Sequence, residues 1–169
     1  MQIKKINNLL ELFFEQYQKK NKESIFLQSL KEPRKEYSWE EVYLNINKLS
    51  EEISKYIKKG DRCLLVSENR PEWMISDLSI MLSGGVTVPA YTTYTERDYE
   101  YIIDDCTPAI IIISDKIQHA KIKNIVPKKD FIKKIIFFED IDDVNEEVNL
   151  KIHDIFKKNN CNNKNFFDL

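Results

Sequence analysis

The chain has 169 residues, with 26 basic and 28 acidic side chains, a formal charge of −2 and a 42% apolar share. That length and composition suit one soluble domain with a core and exclude a disordered chain. The near-balance of charge excludes the basic footprint of a nucleic-acid binder, and no apolar run approaches the roughly 18 residues of a membrane span.

In chain order, Ile3, Ile6, Leu9, Leu10, Phe13, Phe14 and Tyr17 recur at steps of three and four, which predicts a helix over 2–19. SIFLQSL (24–30) and KEYSW (35–39) flank Pro33 and read as a hairpin. Ser38 with Glu41 three residues on forms the signature of a capping box. The helix it starts runs to KKGD (58–61), where Gly60 suits a left-handed stop.

The period then changes. Strands are expected at 62–67, 86–91, 109–114 and 133–140, with helices at 70–83, 95–106 and 116–126 between them. Unbroken apolar strands alternating with amphipathic helices are βαβ units, so the fold class is α/β with a mostly parallel sheet, preceded by a helix and a hairpin. LKIHDIF (150–156) reads as a short helix or strand. The pattern sets a domain over 1–141 and a weakly structured tail over 142–169.

The stretch VSENRPEW (66–73) lies at a strand's carboxyl end, where α/β sheets place ligands. A mechanical reading accounts for it more simply. Asn69 is an N-cap, Pro71 sits in the first turn, Glu72 completes a box, and Trp73, Ile75, Leu78 and Leu82 anchor the helix. His119 and His153 read as surface residues, and Cys63 and Cys106 as core or boundary residues rather than nucleophiles. The acidic pairs Asp104–Asp105 and EDIDD (139–143) fit Mg²⁺ binding less well than a solvated face. Cys63, Cys106 and Cys161 match no zinc spacing and suit a reducing compartment, and Met1–Gln16 lacks a signal peptide's cleavage site. A cytoplasmic location is therefore expected. Only Gly60, Gly84 and Gly85 are glycines, so neither GxGxxG nor GxxxxGK[ST] occurs.

Read from Tyr37 to Asp115, the ordered string YSWEEV, KKGDRCLLVSENRPEW and GGVTVPAYTTYTERDYEYIIDDCTPAIIIISDK resembles the start of an AMP-forming acyl-CoA synthetase. SENRPEW followed by GGVTVPAY is similar to the long-chain fatty acyl branch of the adenylate-forming superfamily, and the likeness covers about residues 8–140. None of these pieces is a catalytic motif. The resemblance implies a partial N-terminal domain of that fold. It also implies, for a complete enzyme, fatty acid, ATP, Mg²⁺ and coenzyme A as substrates and cofactors, with an acyl-adenylate as intermediate. The phosphate loop and the mobile C-terminal domain would lie beyond residue 169, in a downstream half that would be a partner. The chain alone is then expected to be inactive, and none of these cofactors is assigned to it. By the same resemblance, Tyr91, Thr92 and Thr93, after the strand VTVPAY, correspond to a loop lining the channel for the nucleotide part of coenzyme A. The residues themselves read as a Thr-rich strand-to-helix turn with Thr95 as N-cap.

Two other readings compete. A stand-alone α/β binding module would have a polar surface throughout. A receiver-like or flavodoxin-like domain would carry a metal or flavin at its strand ends.

Overall fold

A computed structural model describes residues 6–141 and 149–158. Helix α1 (Leu9–Lys19) leads into a hairpin of β1 (Ile25–Gln28) and β2 (Glu36–Ser38), and α2 (Trp39–Ile53) follows. Then come β3 (Arg62–Val66), α3 (Pro71–Leu82), β4 (Val86–Ala90), α4 (Glu96–Cys106), β5 (Ile110–Ile113), α5 (Lys116–Ile122), a 3₁₀ turn at Val126–Lys128 and β6 (Lys134–Phe137). The last elements are β7 (Asn149–Lys151) and α6 (Ile152–Phe156).

The five strands β3–β7 form one sheet in the order β4-β3-β5-β6-β7, every pairing parallel. Leu64 lies opposite both Val88 and Ile111, so β3 is paired on both sides. Side chains alternate across a strand, and here each face has its own core. Cys63, Leu65, Ile110, Ile112 and Ile136 pack under α1, α2, α3 and α6, with Val42, Ile46, Leu49, Ile75 and Leu78. Leu64, Val66, Ile111, Ile113 and Phe137 pack under α4 and α5, with Tyr99, Ile103 and Ile122. Coverage on both sides explains why these strands are unbroken apolar runs. The α/β class and parallel sheet stand as expected.

The hairpin stays outside the main sheet, with Leu27 opposite Tyr37. It is fastened by aromatic rings: Phe26 stacks on Trp39 at 3.8 Å, and Phe13 of α1 stacks on Trp39 at 5.8 Å. The Ser38–Glu41 capping box forms, with Glu41 N–H donating to Ser38 Oγ at 3.2 Å and Ser38 N–H to Glu41 Oε2 at 2.7 Å. Gly60 (φ 87°) and Gly84 (φ 81°) hold left-handed turns. Gly85 is needed for space instead, since a Cβ there would stand 2.9 Å from Ile57 Cδ1.

Several boundaries differ from the sequence reading: α2 ends at Ile53, ahead of KKGD, and β6 ends at Phe137 rather than 140. Helix α1 begins only at Leu9, because Asn8 caps it by accepting from Glu11 N–H at 2.8 Å, while residues 2–5 lie outside the described residues. Helix α5 ends at Ile122, and Pro127 falls in the first turn of a separate 3₁₀ segment, Val126–Lys128, where its missing N–H leaves no bond unmade. Residues 149–156 supply both a strand and a helix, so the sheet continues past 141. Buried Ile152 and Ile155 seat α6 on α2, where Lys48 Nζ donates to the Phe156 carbonyl at 2.6 Å.

Candidate functional site: the carboxyl edge of the sheet

Because β3–β6 run parallel, the segments after them emerge on one edge: 67–70, 91–95, 114–115 and 138–141. This is where such sheets place ligands.

The segment after β3 is built around Pro71. A residue before proline avoids α geometry, so Arg70 is extended (φ −156°, ψ 162°) and occupies the cap position, with Pro71 first in the helix. The cap expected at Asn69 is therefore displaced by one residue, and α3 has no side-chain cap. Glu72 closes no box. It is 1% exposed and accepts from Arg70 Nε at 2.9 Å and Tyr37 Oη at 3.1 Å, with Lys35 Nζ at 3.5 Å. The Arg70 guanidinium also reaches Glu139 at 3.2 Å and Glu68 at 3.6 Å, and lies 5.4 Å from the Phe138 ring centre. Lys31, in the hairpin turn, pairs with Glu68 at 3.0 Å. Lys31, Lys35, Glu68, Arg70, Glu72 and Glu139 line a groove of ≈ 770 Å³ between the hairpin turn and the strand-end segment, together with Leu27, Leu30 and Pro33.

Burial alone would raise the Glu72 carboxyl pKa, but the hydrogen bond and charge of Arg70, with Lys35, outweigh it and hold the group below the usual carboxylate range. Glu68 is held low in the same way, burial being overcome by a backbone N–H and Lys31. Burial and Glu72 push the Tyr37 phenol up. A carboxylate held ionised by several donors is a poor proton acceptor, and a guanidinium among three carboxylates is a poor phosphate ligand. The arrangement joins the hairpin to the sheet.

The segment after β4 is different. Tyr91 is 72% exposed, Thr93 exposed and Thr92 half-buried. Tyr94 N–H donates to the Tyr91 carbonyl at 3.2 Å and closes a turn over Thr92–Thr93. Thr95 caps α4 and exchanges hydrogen bonds with Asp98, as expected of an N-cap. The carbonyls of this loop are held from behind. Lys121 Nζ of α5 donates to Thr92 O at 2.6 Å and Tyr94 O at 2.9 Å, and the buried Tyr99 hydroxyl lies 2.8 Å from Tyr91 O. Nothing in the spacing of Lys121 marks this role, because its partners lie 27 and 29 residues upstream.

Other singled-out residues fall elsewhere. His119 is half-buried rather than on the surface, edge-on to Phe137 at 5.3 Å, and burial lowers its pKa. His153 is also half-buried. Burial lowers its pKa first and Lys35 adds to this, so it lies within reach of the Glu72 cluster's charge. Cys63 is buried, which pushes its thiol up to about 12 and leaves it unreactive. Cys106 is half-buried, and Cys161 lies outside the described residues. Asp104 pairs with Lys129, and Asp140 with Lys151 at 3.1 Å; Asp142 and Asp143 lie outside the described residues. Among the described residues no group of three His, Cys, Asp or Glu side chains could hold a metal ion, and no helix is long and apolar enough to cross a membrane.

The doubly wound sheet, with its hairpin and leading helix, is a fold shared with solved ligase structures. A mutant form of coronafacic acid ligase from Pectobacterium brasiliense superposes with a TM-score of 0.79 over 90% of this chain and 29% of its own, at 17% identity. The anthranilate CoA ligase AuaEII gives 0.64 over 72% and 23%, at 20% identity. The family model for the AMP-binding enzymes matches residues 13–164, and the chain belongs to that family. Among its relatives, the long-chain-fatty-acid–CoA ligase FadD15 of Mycobacterium tuberculosis is 34% identical over 68 residues, 40% of this chain and 11% of that protein. The long-chain-fatty-acid–CoA ligase ACSBG1 of Rattus norvegicus is 23% identical over 131 residues, 77% and 18%. The chain thus spans less than a fifth of the length of these relatives.

Proposed function

We propose that these residues are the front part of the N-terminal domain of an AMP-forming long-chain acyl-CoA ligase. Such an enzyme joins a fatty acid to AMP with release of pyrophosphate, then passes the acyl group to the thiol of coenzyme A. The observation that carries this reading is the stretch at 34% identity to a long-chain-fatty-acid–CoA ligase, in a chain whose sheet superposes on adenylate-forming enzymes.

Adenylation builds charge on transferring phosphate oxygens, which preorganised donors must meet. The described residues do not fit that task. Each of the three glycines is committed to a turn or to packing, and Arg70 is enclosed by Glu68, Glu72 and Glu139. The groups that hold ATP and Mg²⁺ are then supplied from outside these residues, and no step is assigned here to them. The contribution of this part is a scaffold, together with the loop Tyr91–Thr93 facing the nucleotide part of coenzyme A. Tyr91 offers an exposed ring face for adenine, and the threonines offer hydroxyls.

The test is a chimera in which residues 13–158 replace the matching segment of the M. tuberculosis ligase. Fatty-acid-dependent ATP–pyrophosphate exchange is expected to survive in soluble, folded chimera. A folded chimera without exchange would overturn the reading.

A further inference from the structure

The loop after β4 carries an arrangement that the fold does not require. Three rings form a chain from core to solvent: Tyr99 is fully buried, Tyr94 lies edge-on to it at 6.0 Å, and the exposed Tyr91 lies edge-on to Tyr94 at 5.5 Å. Behind the rings, the Tyr99 hydroxyl and the Lys121 ammonium engage the carbonyls of Tyr91, Thr92 and Tyr94, and that ammonium also lies 5.7 Å from the Tyr99 ring centre. An exposed strand-to-helix loop would ordinarily give its carbonyls to water. Here they are drawn inward by a side chain from the next helix, so Tyr91 stands outward on a fixed base. A flexible exposed tyrosine would lose conformational freedom on stacking against a base, whereas a propped ring has already lost it.

We propose that Lys121 and Tyr99 are positioning residues for ligand capture by the Tyr91–Thr93 loop, holding it in the shape that receives the adenine nucleotide end of coenzyme A. This rests on the assignment of that loop to coenzyme A made under Proposed function. Lys121 donates to the loop backbone and is assigned no part in the chemistry. Its two carbonyl bonds fix the turn, and the Tyr99 hydroxyl fixes the residue that enters it.

The experiment uses the full 169-residue chain and two readouts: amide exchange at Tyr94, whose N–H closes the turn, and NMR titration with coenzyme A. Lys121→Met is expected to speed Tyr94 exchange at least about tenfold, with little change in the global unfolding midpoint, since only a local opening is made easier. The same substitution is expected to weaken coenzyme A binding about tenfold, and Lys121→Arg to recover most of it, because preorganisation is what is lost. Tyr99→Phe keeps the buried ring, removes the hydroxyl that lies between Tyr91 O (2.8 Å) and the buried Gln118 Oε1 (3.0 Å), and is expected to act in the same direction. It decides the matter if Lys121→Met fails to fold. Unchanged Tyr94 exchange in both variants would overturn the positioning role whatever the titration shows. Faster exchange in a chain whose native loop gives no response to coenzyme A would overturn the coenzyme A assignment instead, leaving the clamp as a device of the fold alone. Faster exchange with unaltered affinity would refute positioning while sparing the assignment.

Discussion

Two neighbouring strand-end segments, Ser67–Glu72 after β3 and Tyr91–Thr95 after β4, use their polar groups in opposite ways. In the first, side chains satisfy one another: Glu72 is enclosed by Arg70, Tyr37 and Lys35, and Glu68 by Lys31 and Arg70. In the second, the backbone carbonyls are satisfied from behind by Lys121 and Tyr99, and the side chains of Tyr91 and Thr93 remain outward. The segment richest in charged residues is the architectural one, and the blander segment is the one proposed above to meet a ligand. Residue type alone does not mark a site; what matters is whether the groups already have partners.

That contrast can be tested by substitution. Glu72→Ala should be the most damaging change, because it strips a buried ion pair and leaves Arg70 underpaired, at a cost of about 3 kcal/mol in urea denaturation. A cost near zero would make the cluster something other than a fastening. Its pH dependence should follow. Glu72 has a folded pKa below its usual 4.5, so the unfolded chain binds the proton more readily. The stabilisation is thus present above pH 4.5 and fades as pH falls through the lower folded value. His119 and His153, both below their usual 6.5, act in the same direction at higher pH. Glu72→Gln should therefore flatten the acid limb of a midpoint-against-pH curve below 4.5; near 6 the His119 part should stay, while the His153 part should steepen, because the Glu72 charge that raises its pKa is lost.

In the other segment, Thr95→Ala should cost about 1 kcal/mol through loss of the α4 cap. Smallest of all, Lys31→Ala removes an exposed partner of Glu68 and should change stability by no more than about 0.5 kcal/mol. If Lys31→Ala instead rivals Glu72→Ala, the hairpin turn carries more of the fastening than its exposure suggests.

Much of the fold was legible because its signals are local. Unbroken runs such as Ile110–Ile113 give buried parallel strands, and Ser38 with Glu41 gives a helix start. Arg70 was misplaced by one residue although its signal was also local: Pro71 restricts the residue before it, which outranks the cap preference of Asn69. Over 150–156 the sequence leaves helix and strand both open, because the three residues of β7 are too few to show a period. The site was harder to read for a different reason. Tyr37 meets Glu72 across 35 positions and Lys121 meets Thr92 across 29, and such pairings exist only once the sheet has brought the elements together.

The central claim is that these residues form a scaffold whose phosphate-handling groups are supplied from elsewhere. Its most direct measurement is pyrophosphate release by the 169-residue chain given fatty acid, ATP and Mg²⁺. No fatty-acid-dependent release is expected, and sustained release at the rate of a complete ligase would contradict the account.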